Sequence, residues 1–279
     1  MWLRKRLADR FILRPSRRVV DDPQPATRMI VDGPQGDIEC FAARKPAGTQ
    51  AAAPLELDQP PADLLILKLP GTGGRAERST AFPALLFQPR DVEVWTWNPP
   101  GYGLSQGSAS LRHIPAAVLA VWDHLQQHRV GTNSNTNTKT LIVGNSLGSV
   151  TALYLASQRA ADALMIRNPP PLVDMVRDGN AWWNAHRGGT WIAASIEAKM
   201  DATTTASDCR LPALFVQSQL DALVPARLQQ SIIDAYAGPH RLVVLPEAEH
   251  DTPYRADDLD AIQSGLQWLL TEMFDMPPE

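Results

Sequence analysis

Gly144-Asn145-Ser146-Leu147-Gly148 sets a serine between two glycines, and its flanks make that serine a candidate nucleophile. Thr140-Leu141-Ile142-Val143 ahead of it is a short apolar run that reads as a buried strand. Val150 to Arg159 behind it is rich in Ala and Leu and reads as a helix. In a strand-to-helix turn of this kind, glycines without a Cβ let the two elements pass closely while the serine backbone is forced into an unfavourable conformation. Ser146 Oγ would then stand above the sheet edge. The Leu147 amide would lie at a helix N-terminus, where negative charge is favoured.

A serine hydroxyl is a weak nucleophile at neutral pH and needs a base beside it, itself oriented by a carboxylate. Asp221 lies three residues past the apolar run Ala213–Ser218, and His250 five residues past Leu242–Leu245, so the order is Ser…Asp…His. The other histidines are placed less well: His113, His124 and His128 on or at the end of a predicted helix, His186 in a Trp-rich segment, His240 at a strand start. Asp174 and Asp178 are alternatives to Asp221, while Asp251 reads as a surface charge. An oxyanion needs two fixed donors, usually backbone amides. Leu147 offers one, and Pro70-Gly71-Thr72-Gly73-Gly74, after the run Leu64–Leu69, is placed to offer the other. Proline cannot donate, so Thr72 is the choice and Gly73 the next. A tight turn would also explain these glycines; as a phosphate loop the stretch lacks the lysine of G-x-x-x-x-G-K-[ST].

The elements that must position these groups alternate along the chain. Thr27–Val31 and 37–43 read as a hairpin across a Gly- and Pro-containing turn, and 46–61 as a Pro- and Ala-rich surface loop. Strands follow at Leu64–Leu69, Val92–Trp97, the run before Ser146, Ala163–Arg167, Ala213–Ser218 and Leu242–Leu245. Helices are predicted over Ala76–Phe87, Ile114–Arg129, Ala226–Ala235 and Asp257–Phe274, in addition to the one after Ser146. About eight strands alternating with helices specify a mostly parallel sheet covered on both faces, with ligands outside the carboxyl ends of the strands. Residues 168–210 carry Trp182, Trp183 and Trp191 without a strand pattern and read as short helices over the sheet edge.

At 279 residues, with no break in composition, the chain is expected to form one large domain (26–279) behind a basic segment (1–25). Residues 1–20 hold seven Lys or Arg and one Asp, which leaves 19 basic against 29 acidic residues in the rest. A body that acidic argues against binding nucleic acid. The basic segment alternates apolar and cationic residues at helical spacing: either it lies on an anionic membrane surface or it packs on the domain as a first helix. Cys40 and Cys209, far apart in sequence, read as buried free thiols, which together with the absence of an apolar leader gives a cytoplasmic expectation. Neither CxxC nor HExxH occurs, so no metal or other cofactor is expected.

Leu69-Pro70-Gly71-Thr72-Gly73, Asn98-Pro99-Pro100-Gly101-Tyr102-Gly103-Leu104-Ser105, Gly144-Asn145-Ser146-Leu147-Gly148-Ser149, Asp221-Ala222-Leu223-Val224-Pro225 and His250 together resemble the α/β-hydrolase superfamily, over roughly residues 27 to 274. The Ser-Leu-Gly elbow, the Pro-Gly-Tyr-Gly-x-Ser loop and the brief segment 168–210 resemble its small-cap, depalmitoylase-like branch. Members commonly carry His-Gly where this chain has Pro70-Gly71, and many carry Gly-Gly where it has Gly148-Ser149. The resemblance implies a cofactor-independent serine hydrolase acting on an ester or thioester of a small-molecule or acyl substrate. Ser146, Asp221 and His250 would be catalytic, Leu147 and Thr72 would hold the oxyanion, and Gly73, Trp182 and Trp183 would touch substrate. A serine peptidase on the same fold, or a non-catalytic binding protein, stays open.

Overall fold

The computed structural model describes Asp9 and residues 12–130, 137–177 and 198–274. Nine strands form one sheet: β1 (Thr27–Val31), β2 (Ile38–Lys45), β3 (Ala53–Pro54), β4 (Leu64–Leu69), β5 (Val92–Trp97), β6 (Lys139–Asn145), β7 (Ala163–Arg167), β8 (Ala213–Ser218) and β9 (His240–Leu245). Their order is β1-β2-β5-β4-β6-β7-β8-β9. β3, inside the stretch expected to be loop, pairs with β2 at Ala43 and Arg44, just past the end of the β1 pairing. From β5 to β9 all neighbours are parallel, whereas β1, β2 and β5 run antiparallel. Parallel strands buried on both faces need apolar side chains in both directions, which is why Leu64–Leu67 and Ala213–Val216 are continuous apolar runs.

Helices α1 (Ile114–Leu125), α2 (Leu147–Gln158), α3 (Leu172–Arg177), α4 (Ala202–Asp208), α5 (Ala226–Ala235) and α6 (Ala256–Phe274) complete the fold. Leu65, Leu67, Trp95, Ile142 and Phe215 face a core built with α1, α2, α4 and α5. Leu64, Ile66, Leu141 and Leu214 face the other way, onto Ile262, Leu266 and Leu269 of α6. A Cβ on Gly265 of α6 would come 2.5 Å from Leu214 Cδ1, so this glycine lets the helix lie close on the sheet.

The helix expected over Ala76–Phe87 is absent; two single 3₁₀ turns, Ala76–Arg78 and Ala84–Leu86, stand in its place. Pro83 has no amide to donate and disfavours helical geometry at Phe82, which splits the segment despite its apolar content. α1 ends at Leu125, four residues short of expectation, and continues as a π-turn over Gln126–Val130. That turn delivers Arg129 to Glu93 of β5, where Nε and Nη2 donate to the two carboxylate oxygens at 2.7 and 2.6 Å.

β5 lies to one side of β4 and β6 to the other, so the loops leaving β4 and β6 diverge and open a crevice between them. Leu69 is level with Gly144, which sets the Pro70–Gly74 turn beside Ser146.

Candidate active site

Ser146 follows β6 and precedes α2 with φ 51 and ψ −121, a conformation that costs a non-glycine residue free energy and persists only where its surroundings impose it. The imposing contacts are local. A Cβ on Gly148 would lie 1.9 Å from the Leu69 carbonyl oxygen, and one on Gly144 2.6 Å from Ser149 Cα. The Ser146 amide donates to the Arg167 carbonyl at 2.9 Å. Ser149 Oγ shares its single proton between the carbonyls of Gly144 (3.0 Å) and Arg167 (2.9 Å), tying the first turn of α2 to both β6 and β7. Ser149 therefore braces the elbow.

Around Ser146 Oγ the structure brings three of the expected residues together. His250 Nε2 lies 2.9 Å from Ser146 Oγ, and His250 Nδ1 lies 2.6 Å from Asp221 Oδ2. Asp221 is fully buried and its oxygens are held by donors: the amides of Leu223 (2.9 Å) and Val224 (2.8 Å) on Oδ1, and Gln229 Nε2 (3.1 Å) on Oδ2. A carboxylate fixed in this way keeps the imidazole in the tautomer that presents Nε2 to the serine. The His250 loop is held in turn by β7: Asn168 Nδ2 donates to the His250 carbonyl (3.3 Å) and Arg167 Nη2 to that of Thr252 (2.9 Å). Asn168 also links to Ser218, at the end of β8, through both its amide nitrogen and its carbonyl oxygen. Asp174 sits on α3, outside this relay, and Asp178 lies outside the described residues.

Thr72 and Leu147 both line a cavity of about 290 Å³ over Ser146, whose apolar wall includes Ile12, Leu172, Met175 and Val224. Gly73, the alternative donor, has its amide engaged by the Leu13 carbonyl at 2.9 Å, and Gly74 N–H closes the turn on Gly71 O at 3.0 Å. Tyr102 Oη donates to the same Leu13 carbonyl, and burial pushes its phenol pKa well above the usual value. Ser105 of that loop donates to Asn98 O at 2.6 Å and accepts from the Glu39 amide at 2.9 Å, fixing the Pro-Gly-Tyr-Gly-x-Ser stretch to β2. Trp182 and Trp183 lie outside the described residues, so their expected contact with substrate does too. Among the described residues no group of three or more His, Cys, Asp or Glu could hold a metal ion, and no helix is long and apolar enough to cross a membrane. Cys40 and Cys209 are buried free thiols.

The supporting residues Ser149, Asn168, Arg167 and Gln229 were not legible from sequence, because each acts through side-chain hydrogen bonds that only the folded chain brings together.

No protein-family profile matches the chain. It is 29% identical over 196 residues to uncharacterized protein Rv2307c of Mycobacterium tuberculosis (strain ATCC 25618 / H37Rv), a stretch covering 69% of this chain and 64% of that protein. The chain thus spans under two thirds of that relative. Among solved structures, puromycin hydrolase superposes with TM-score 0.65 at 15% identity, over 92% of this chain and 41% of that one. Acetyl xylan esterase 1 from Thermoanaerobacterium sp. JW/SL YS485 superposes with TM-score 0.61 at 13% identity, over 96% of this chain and 92% of that one. With its parallel sheet, antiparallel leading strands and serine elbow at the crevice, the chain has the α/β-hydrolase fold.

Proposed function

We propose that the chain is a serine hydrolase that cleaves an ester or thioester through a covalent acyl-enzyme. What carries this reading is the continuous relay Asp221–His250–Ser146, with hydrogen bonds of 2.6 and 2.9 Å, at the floor of a cavity walled by apolar side chains. Ser146 Oγ attacks the acyl carbonyl while His250 Nε2 takes its proton. The amides of Leu147 and Thr72 receive the oxyanion. The tetrahedral intermediate then collapses, expelling the alcohol or thiol, which takes the proton from His250. Water repeats the sequence on the acyl-enzyme and releases the carboxylic acid. The carboxylate of Asp221 stays ionised throughout and stabilises the imidazolium that forms in each half. These steps use the chain's own side chains and amides together with substrate and water. The depalmitoylase-like branch, and with it an acyl substrate, rests on the Pro-Gly-Tyr-Gly-x-Ser loop and the Ser-Leu-Gly elbow.

A fluorophosphonate probe should label the wild-type chain at Ser146 and leave Ser146→Ala unlabelled. A panel of nitrophenyl esters, acyl thioesters and a peptide anilide should be turned over by wild type in the first two classes. Ser146→Ala should lose turnover on the order of a millionfold, as removal of a triad nucleophile does. Retention of more than a few per cent of activity by Ser146→Ala sinks the assignment. Preferential cleavage of the anilide makes the chain a peptidase instead.

A further inference from the structure

Behind the Pro70–Gly74 turn lies a second cavity, of about 610 Å³, which shares Gly71, Gly74 and Asn145 with the catalytic one as a common wall. Its origin is in the topology. The β4–β5 connection forms only two short turns where a helix would otherwise cover the sheet, so the carboxyl ends of the central strands stay open on the α6 face. Register decides which side chains line that opening. Lys68 is level with Thr96 and Val143, Val143 with Met165, and Asn145 with Arg167. Residues two apart on a strand share a face, so Lys68, Thr96, Asn145 and Arg167 point to the same side as Leu64, Ile66 and Leu141.

The lining is cationic in a chain whose body is acidic. Lys68, Arg75, Arg78 and Arg167 belong to it, and no Asp or Glu does. Arg75 is paired with Glu77. Lys68, Arg78 and Arg167 have no carboxylate within ion-pair distance among the described residues. Lys68 Nζ donates only to the Thr80 carbonyl, at 2.6 Å, and crowding by protein atoms pulls its ammonium pKa down to about 7. Three buried polar atoms in the same lining have no partner: Arg167 Nε, Asn145 Oδ1 and Thr96 Oγ1, with Thr96 only 5% exposed. An anion would accept from Arg167 Nε and Thr96 Oγ1, donors that are costly to leave buried and unpaired, and would give Lys68, Arg78 and Arg167 a counter-charge. The remaining wall is apolar. Phe82 and Tyr254 pack as a tilted pair, ring centroids 5.0 Å apart and planes at 43°, Arg167 lies over the Tyr254 ring at 4.5 Å, and Met165 and Leu259 complete the wall.

We propose that this cavity binds a small organic anion, with its carboxylate or phosphate head between Lys68, Arg78 and Arg167 and its apolar body against Phe82, Met165 and Tyr254. The site is independent of the hydrolytic reading, since neither Lys68 nor Arg78 lines the catalytic cavity. It is nevertheless coupled to it in space. Its wall is the turn that carries Thr72, and Arg167 also holds the Thr252 carbonyl of the His250 loop.

Calorimetric titration of the full chain with octanoate and with octyl phosphate tests the site, with octanol as the uncharged control. At least one anion should bind saturably at one per chain, with octanol tenfold or more weaker, and the tighter of the two identifies the head group. Lys68→Met, which keeps the stem and removes the charge, should weaken binding tenfold or more. Arg78→Ala, an exposed position whose loss leaves the core intact, should weaken it threefold or more and decides the matter alone if Lys68→Met does not fold. Absence of saturable binding by both anions overturns the proposal. So does binding that these variants leave unchanged, or octanol binding as tightly as the anions.

Discussion

Both oxygens of Asp221 are held by donors from its own loop and from α5 before the histidine is counted, so the carboxylate is positioned independently of the base it serves. Asp221→Asn should keep that position, because an amide oxygen can still accept from Leu223 and Val224. Its NH₂ group would face His250 Nδ1, however, and reverse the tautomer. Turnover should then fall about ten-thousandfold with the melting temperature nearly unchanged, as carboxamide substitution does in the Ser-His-Asp template. Asp174→Asn, measured alongside with the same ester, should leave turnover within about twofold; the opposite pattern would move the acid to the chain after β7. Ser146, Asp221 and His250 could be picked out from sequence because each follows an apolar run at a distance that fits a loop at the carboxyl end of a strand. Gln229 could not. It is a polar residue on an amphipathic helix, and nothing in its neighbours says that it turns inward to a carboxylate.

Among the elements, the buried parallel strands were legible to the residue, as at Leu64–Leu69, Val92–Trp97, Ala163–Arg167 and Ala213–Ser218, because burial on both faces makes such segments predominantly apolar. The segment 76–87 misled because its apolar spacing suits a helix while Pro83 forbids one. The π-turn after α1 was invisible for a different reason: it is tied to a tertiary ion pair, Arg129 with Glu93 of β5. Glu93 is 1% exposed and accepts from Arg129 twice and from Trp95 Nε1 at 2.5 Å. Arg129→Met should therefore leave a buried carboxylate without its counter-charge and cost about 3–5 kcal/mol of stability, read by urea unfolding. Adding Glu93→Leu to that variant should recover most of the loss, because removal of both charges ends the desolvation penalty. A single substitution costing under 1 kcal/mol would show that the pair contributes nothing to holding the turn.

For the molecule as a whole, the basic start of the chain matters most. Ile12 and Leu13 are 2% and 1% exposed and belong to the main core, and Ile12 lines the cavity over Ser146. Beyond them Ser16 O accepts from Gly103 N–H and Arg75, and Arg17 donates to the carbonyls of Ser105 and Gly107. Two of the apolar residues that an amphipathic membrane helix would have turned to lipid are thus packed on the α/β body; Trp2, Leu3, Leu7 and Phe11 lie outside the described residues. A chain starting at Asp21 should lose the burial of both side chains and melt about 10 °C lower, with reduced ester turnover because the Thr72 turn is no longer braced. Co-sedimentation with anionic vesicles, full chain against shortened chain at low salt, tests the membrane reading separately, and equal pelleting rules it out.

The Leu13 carbonyl also makes this docking measurable at one atom. Gly73 sits in a glycine-rich surface turn, where backbone protons ordinarily trade with deuterium quickly. Its N–H is held by Leu13, so it can exchange only when residues 12–20 lift away. The protection factor of that single amide then equals the closing equilibrium of the segment, and its logarithm gives the opening free energy directly. A slow Gly73 proton in this glycine-rich loop would report, in deuterium uptake, how often the Pro70–Gly74 turn is left unsupported.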